Sequence, residues 1–232
     1  MLARHNSEAS MLTLNSDGWS LLKGACLAEH ELLNLAQSFG SLLHWDFGPV
    51  MTMQYQKDAA NYLFSDEAVP FHWDGAFYKE PRLLLFHCLE SEGSGGETTF
   101  VDTTSLWNSL SAKEQNECLN VTLTYSTEKK AHYGGTITVP LVQKHPVTGE
   151  TILRLAEKVE TEKNPVTLNV EGASDDFYER MTKKLYDNMI THSWEKGDLL
   201  IVDNFRYLHG RKRLAGNMTR SFKRIQILGE NL

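Results

Sequence analysis

Between residues 28 and 40, in AEHELLNLAQSFG, the apolar positions recur at helical spacing, and Leu32, Leu35, Ala36 and Phe39 share one face. Gly40 stands where a C-terminal cap belongs, so this segment is predicted to be an amphipathic helix. PRLLLFHCLE (81–90) is apolar, flanked by turn residues and only a strand long, and SGGETTFVDT (94–103) reads as a Gly-Gly turn feeding another strand. Helical signals occupy 104–119, with a capping-box pattern at Ser111 and Glu114. VTLTYS (121–126), ETILRLA (150–156) and NPVTLNV (164–170) are short strand candidates between polar turns. SDDFYERMTKKLYDNM (174–189) reads as a helix with acids at its start and lysines later, the order a helix dipole favours. DLLIVDN (198–204) and RSFKRIQIL (220–228) return to strand. Many short strands with a few helices at one edge predict a mainly β fold with added helices, a double-sheet jelly roll.

Composition narrows the function classes. The 232 residues suit one domain spanning 1–232, and 41% hydrophobic with 23% charged residues is the balance of a soluble globular protein. A formal charge of −7 argues against non-specific nucleic-acid binding, and the short basic cluster Arg211-Lys212-Arg213 does not reverse it. Cys26, Cys88 and Cys118 are odd in number and widely spaced, which predicts a reducing, cytoplasmic setting rather than a disulfide framework. No apolar run approaches the roughly 18 residues of a membrane span, and the N-terminus has no continuous apolar signal region. Nothing in the sequence specifies an oligomeric state.

The chemistry concentrates in a repeated tripeptide. His44-Trp45-Asp46 and His72-Trp73-Asp74 each place a histidine and a carboxylate two residues apart, and on a strand such residues point the same way. Two ligands hold a metal weakly. A third is expected from His209, just past the apolar strand ending at Asp203-Asn204, where a residue at a loop mouth faces a pocket. Two histidines and one carboxylate on one face of an octahedral ion leave three positions open, enough for a bidentate 2-oxo acid and dioxygen. By itself an H-x-D is a weak signal, more often a hydrogen-bonded pair than a metal site. Among the other histidines, His87 in its apolar strand is expected to be a satisfied core residue, His145 to begin a turn, and His132 to lie in a segment within reach of the pocket.

Taken in order, VPFHWDG, PRLLLFHCLE, GGETTFVDT, HPVTGE, GDLLIVDNFRYLHGR and RSFKRIQIL resemble the taurine dioxygenase-like family of Fe(II)- and 2-oxoglutarate-dependent oxygenases, from about residue 18 to 228. The resemblance implies that the second tripeptide copy is the ligand-bearing one, with Fe(II) held by His72, Asp74 and His209, and that the first is structural. It implies further that Arg220, eleven residues after His209, grips the distal carboxylate of the cosubstrate 2-oxoglutarate together with Thr98 of the Gly-Gly-acid-Thr turn. A buried carboxylate calls for a charged, bidentate partner, which suits an arginine. An arginine at the offset of Arg224 binds the substrate's acidic group in relatives, and alternation puts Arg220 and Arg224 on one strand face about 13 Å apart at ~3.3 Å per residue. Trp73, between the ligands, is expected to point away into packing.

What the resemblance implies is oxidation of a C–H bond in a small, carboxylate-bearing substrate with dioxygen, releasing succinate and CO₂, with hydroxylation the default outcome. Halogenation is disfavoured because Asp74 is present where halogenating relatives carry a small residue. FHWDGAFY and the LHGR tail resemble the branch that tailors isonitrile natural products, for which desaturation or oxidative decarboxylation is the alternative. A non-catalytic small-molecule-binding barrel is a third reading, and the intact ligand set argues against it. Substrate contacts are expected from loops at 46–68 and 126–140.

Overall fold

The computed structural model of this protein describes residue 14 and residues 16–57, 59, 64–130 and 133–229, with backbone alone at 216–218; His132 lies outside the described residues. The larger sheet is built from β1 (Trp19–Leu22), β2 (Val50–Gln54), β4 (Leu83–Gly95), β12 (Leu199–Asp203) and β14 (Leu214–Ile227), in the order β1-β12-β4-β14-β2. The facing sheet has the order β11-β5-β13-β3, from β3 (Val69–His72), β5 (Thr98–Asp102), β11 (Ile190–His192) and β13 (Tyr207–Arg211). Every pairing in both is antiparallel. A third sheet, β10-β6-β7, joins β6 (Thr122–Lys130), β7 (Tyr133–Pro140) and β10 (Thr167–Glu171), and β8 (Val142–Lys144) pairs with β9 (Thr151–Leu153). Four helices complete the described elements: α1 (Glu29–Gln37), α2 (Thr103–Ser109), α3 (Ala112–Cys118) and α4 (Phe177–Asp187). This is the predicted jelly roll with added helices.

Alternation explains why β4 reads as continuously apolar. Leu83 and Leu85 pack outward with Leu32, Ala36 and Phe39 around α1, while Leu84, Phe86 and Cys88 pack inward with Phe100 and Tyr207 of the facing sheet. A strand covered on both faces has no solvent side on which to place polar residues. The same two-sided rule sends Ile225 and Ile227 of β14 toward α1 and Phe222 into the barrel. The register of β14 against β4 shifts between Ser221 and Phe222, and the extra residue is Leu89 of β4, so β14 itself keeps its alternation there. Arg220, Phe222, Arg224 and Gln226 consequently share the inward face.

Helical signal at 104–119 resolves into two helices because Ser111 starts a new one, its hydroxyl accepting from the Glu114 N–H while Glu114 reaches back to the Ser111 N–H. One expectation is corrected. His209 does not sit at a loop mouth; it lies within β13, buried, with its Cα opposite that of His72 on β3. The chain makes its turn earlier, at Asn204–Arg206, and re-enters the sheet before reaching the histidine. Among the described residues no helix is long and apolar enough to cross a membrane.

Candidate active site

The site is assembled from the two sheets and the turn after β3. Cross-strand pairing sets the His72 and His209 rings side by side, with centroids 4.2 Å apart. Gly210 follows His209 where the strands crowd together: a Cβ there would come within 2.6 Å of the Val69 carbonyl oxygen and 2.9 Å of Thr99 Oγ1. Asp74 stands just past the end of β3 and is held by its backbone, not by strand pairing. Asn204 Oδ1 accepts from the Asp74 N–H at 2.8 Å, and Asn204 Nδ2 donates to the Asp74 carbonyl at 3.0 Å and to that of Pro81 at 2.9 Å. Gly75 then turns the chain sharply at φ 85°, where any side chain would strike the Lys79 carbonyl oxygen.

Asp74 Oδ1 lies 3.6 Å from His72 Nε2 and 3.7 Å from His209 Nε2. These gaps are long for hydrogen bonds and short enough for one ion with bonds of about 2 Å to bridge them. Among the described residues these three form the cluster of histidine, cysteine and carboxylate groups suited to a metal, with ligand atoms within 4.8 Å of one another. His72 Nδ1 donates to the Pro70 carbonyl at 2.9 Å, since a carbonyl can only accept, and this turns Nε2 toward Asp74 and the ligand position. Burial pushes the Asp74 carboxyl up, but the Arg224 guanidinium beside it opposes this most strongly, and the group is held well below the usual carboxylate range. His209 is pushed down to about 3, by burial first and then by His72, which keeps its imidazole neutral. A neutral imidazole at His209 and an ionised carboxylate at Asp74 are protonation states a divalent metal needs. The donor set fits Fe(II).

The first tripeptide copy is placed differently. His44 and Asp46 are exposed, and Trp45 closes a tight turn with Gly48. Trp45 is not idle, however: its indole N–H donates to Gln226 Oε1 at 2.9 Å, and Gln226 Nε2 donates to Asp74 Oδ2 at 2.8 Å. Trp73 packs into the core as alternation predicts, donating to Glu80 and lying 4.4 Å beneath the Arg154 guanidinium. His87 is buried against the Ala25 carbonyl, and His145 opens its turn while pairing with Asp203 at 3.0 Å.

On one side of the ligand cluster, a pocket is lined by Thr98, Trp194, Arg211, Arg220 and Arg224 together with His72 and His209. Arg220 stacks 4.4 Å over Phe222 and donates to the Gly96 carbonyl. Thr98 Oγ1 accepts from Trp194 Nε1 at 2.7 Å, which leaves the hydroxyl proton to be donated elsewhere. A second cavity beside the cluster, of about 370 Å³, is lined by Trp45, Trp73, Phe77, Tyr78, Tyr125 and Tyr133 together with Asp74 and Arg224. Of the two stretches expected as substrate-contacting loops, 126–140 is instead mostly the β6–β7 hairpin and gives Thr127, Lys130 and Tyr133, and 46–68 gives Met51 from β2, a strand. Arg224 reaches both cavities, but its Nη1 is 3.0 Å from Asp74 Oδ2. Sequence reasoning missed Asn204, Trp194 and Gln226. Only Gln226 left a signal, standing on the same alternating face as Arg220 and Arg224.

The sequence profile of the taurine catabolism dioxygenase TauD, TfdA family matches residues 2–226. The chain is 39% identical over 221 residues to 3-((Z)-2-isocyanoethenyl)-1H-indole synthase of Fischerella ambigua, an alignment covering 90% of this chain and 81% of that one. It is 31% identical over 225 residues to tyrosine isonitrile desaturase of Pseudomonas aeruginosa, covering 90% and 77%. Its fold is similar to the solved structure of PvcB, described as an Fe, alpha-ketoglutarate dependent oxygenase from an isonitrile synthetic pathway. The TM-score is 0.76 at 25% identity, over 95% of this chain and 79% of PvcB.

Proposed function

Because this chain belongs to the taurine catabolism dioxygenase TauD, TfdA family and is thereby an Fe(II)- and 2-oxoglutarate-dependent dioxygenase, we propose that it desaturates a small isonitrile derived from an aromatic amino acid. The observation that carries this reading is the aromatic-lined cavity of about 370 Å³ opening onto Asp74 and His72. Planar side chains in such a wall favour an indole or phenol ring by offset and edge-on contacts. Relatives named as a synthase of an isocyanoethenyl indole and as a tyrosine isonitrile desaturase support the same class. Hydroxylation, the default for the family, is set behind desaturation on that ground.

We assign Fe(II) to His72, Asp74 and His209, and the distal carboxylate of 2-oxoglutarate to Arg220 and Thr98. When bound, Fe(II) supplies the activation of dioxygen that no side chain here can perform. The chain's own work is placement. Trp194 turns the Thr98 hydroxyl so that its proton is available, Phe222 supports the Arg220 guanidinium, and Asn204 fixes where Asp74 leaves the strand. The aromatic wall excludes water and holds the substrate's side chain against the ligand cluster. Lys130 and Arg224 are the cations of that wall among the described residues. The substrate's carboxylate is assigned to Arg224, which shares its guanidinium between that anion and Asp74. In the balanced reaction two substrate hydrogens leave with one oxygen atom as water, and the other oxygen enters succinate as CO₂ departs.

The test supplies Fe(II), 2-oxoglutarate and air with isonitriles of tryptophan and tyrosine, and follows succinate and product mass. Loss of two hydrogens, one succinate per product, supports desaturation. Gain of one oxygen atom would return the function to hydroxylation, and succinate release without consumption of either isonitrile would reject the substrate class.

A further inference from the structure

The two oxygens of Asp74 face different company. Oδ1 is directed at the imidazoles, whereas Oδ2 accepts from Gln226 Nε2 at 2.8 Å and lies 3.0 Å from Arg224 Nη1. Gln226 is 4% exposed and lies on the inward face of β14. Its other end accepts from Trp45 Nε1 at 2.9 Å. These two partners leave the amide one orientation. An indole N–H can only donate and an ionised carboxylate can only accept, so the carbonyl end must face Trp45 and the NH₂ end must face Asp74.

We propose that Gln226 is a positioning residue for the iron site: it withholds Oδ2 of Asp74 from the metal, so that the carboxylate ligates through Oδ1 alone, and Trp45 fixes the amide for that task. The proposal rests on the iron assignment made above. A carboxylate free to rotate can close on a metal with both oxygens and take up a coordination position that the cosubstrate or dioxygen requires. Two donors on Oδ2 oppose that rotation, and Arg224 alone would leave the carboxylate free to pivot about a single contact. Trp45 belongs at the same time to the wall of the large cavity, its ring 5.2 Å from that of Tyr78 and stacked 6.3 Å from that of Phe47. The first H-W-D copy therefore contributes no ligand; its tryptophan orients the ligand of the second.

The proposal is tested on the full chain with Co(II), added anaerobically as a spectroscopic stand-in for Fe(II). Affinity comes from the titration, and coordination number from the intensity of the visible bands. Gln226→Leu and Gln226→Met both delete the donor, and the unbranched Met is the better space-filler if the Leu variant folds poorly. Each is expected to weaken Co(II) binding about 10–100-fold, as loss of an outer partner of a ligand does, and to alter the band intensities. Trp45→Phe should shift both readouts in the same direction by less, because the amide keeps its Asp74 contact but loses its anchor. Wild-type affinity and bands in a folded Gln226→Met protein would overturn the proposal. His72→Ala runs beside it: unchanged Co(II) affinity there would instead sink the metal assignment, whatever Gln226 does.

Discussion

Arg220 carries a positive charge into a half-buried pocket where, among the described residues, no carboxylate pairs with it; its contacts are the Gly96 carbonyl and the face of Phe222. Burial, and then the neighbouring Arg211, bring its pKa down, so an arriving dicarboxylate relieves a charge that the protein leaves poorly compensated. Arg220→Ala should therefore raise the 2-oxoglutarate KM about tenfold or more, the loss of a charge-assisted contact. Trp194→Phe, which removes only the donor to Thr98 Oγ1, should raise it a few-fold, roughly the cost of a neutral hydrogen bond. Initial rates against cosubstrate concentration decide both, and an unmoved KM in Arg220→Ala would move the carboxylate site elsewhere. The duplicated tripeptide gives a second contrast at this scale. His44 is exposed and outside the ligand cluster, so His44→Ala should retain iron stoichiometry and turnover. His72→Ala should lose both, and a folded, iron-free His44→Ala protein would reverse the assignment of the two copies.

At the scale of elements, what was legible depended on how much of a segment's environment its own residues encode. β4 and β12 are covered on both faces and announce themselves as apolar runs, and α3 was marked by Ser111 and Glu114. YLHGR of β13 and YGGTITVP of β7 carry glycines and polar residues that read as loop; their strand character comes from ladder partners far away in the chain. The site followed the same rule. His72 and the inward arginines could be placed by alternation, whereas Asp74, past the end of its strand, is set by Asn204, whose partner is the backbone of a residue 130 positions earlier. Asp102 shows how such distant ties stabilise an element. It caps α2 through the N–H groups of Thr104 and Ser105 and pairs with Arg206, beyond β12, at 2.7 Å. Burial opposes its ionisation, but Arg206 and those N–H donors prevail and lower its pKa. A carboxylate with a lowered folded pKa contributes fully above its unfolded value, about 3.9, and less as pH falls through the folded one. Asp102→Asn keeps a capping oxygen and loses the charge, so it should cost about 1–2 kcal/mol at pH 7. Thermal midpoints measured down the pH scale should show the gap to wild type closing below about pH 4; a gap constant to pH 3 would deny the ion pair its role.

For the whole molecule, the arrangement of the site decides how ligands act on stability. The three residues assigned to the metal come from β3, the turn that follows it and β13, so they gather at one sheet, to which Thr98 on β5 also belongs, while Arg220 comes from β14 of the other. Iron alone would tie elements within one sheet; 2-oxoglutarate held between Arg220 and the iron would tie the two sheets across the barrel. Anything bound by the folded state and not by the unfolded one stabilises by mass action, about 2.7 kcal/mol at a hundred times its Kd. In a chain of this size that is roughly 5–10 °C in Tm. Anaerobic melts with Mn(II) in place of iron should show a rise with metal and a further rise when 2-oxoglutarate is added with it. Arg220→Ala should keep the first rise and lose most of the second, and His72→Ala should lose the first. If 2-oxoglutarate stabilised wild type and Arg220→Ala equally, the cosubstrate would not span the barrel, and the pocket between Thr98 and Arg220 would need another occupant.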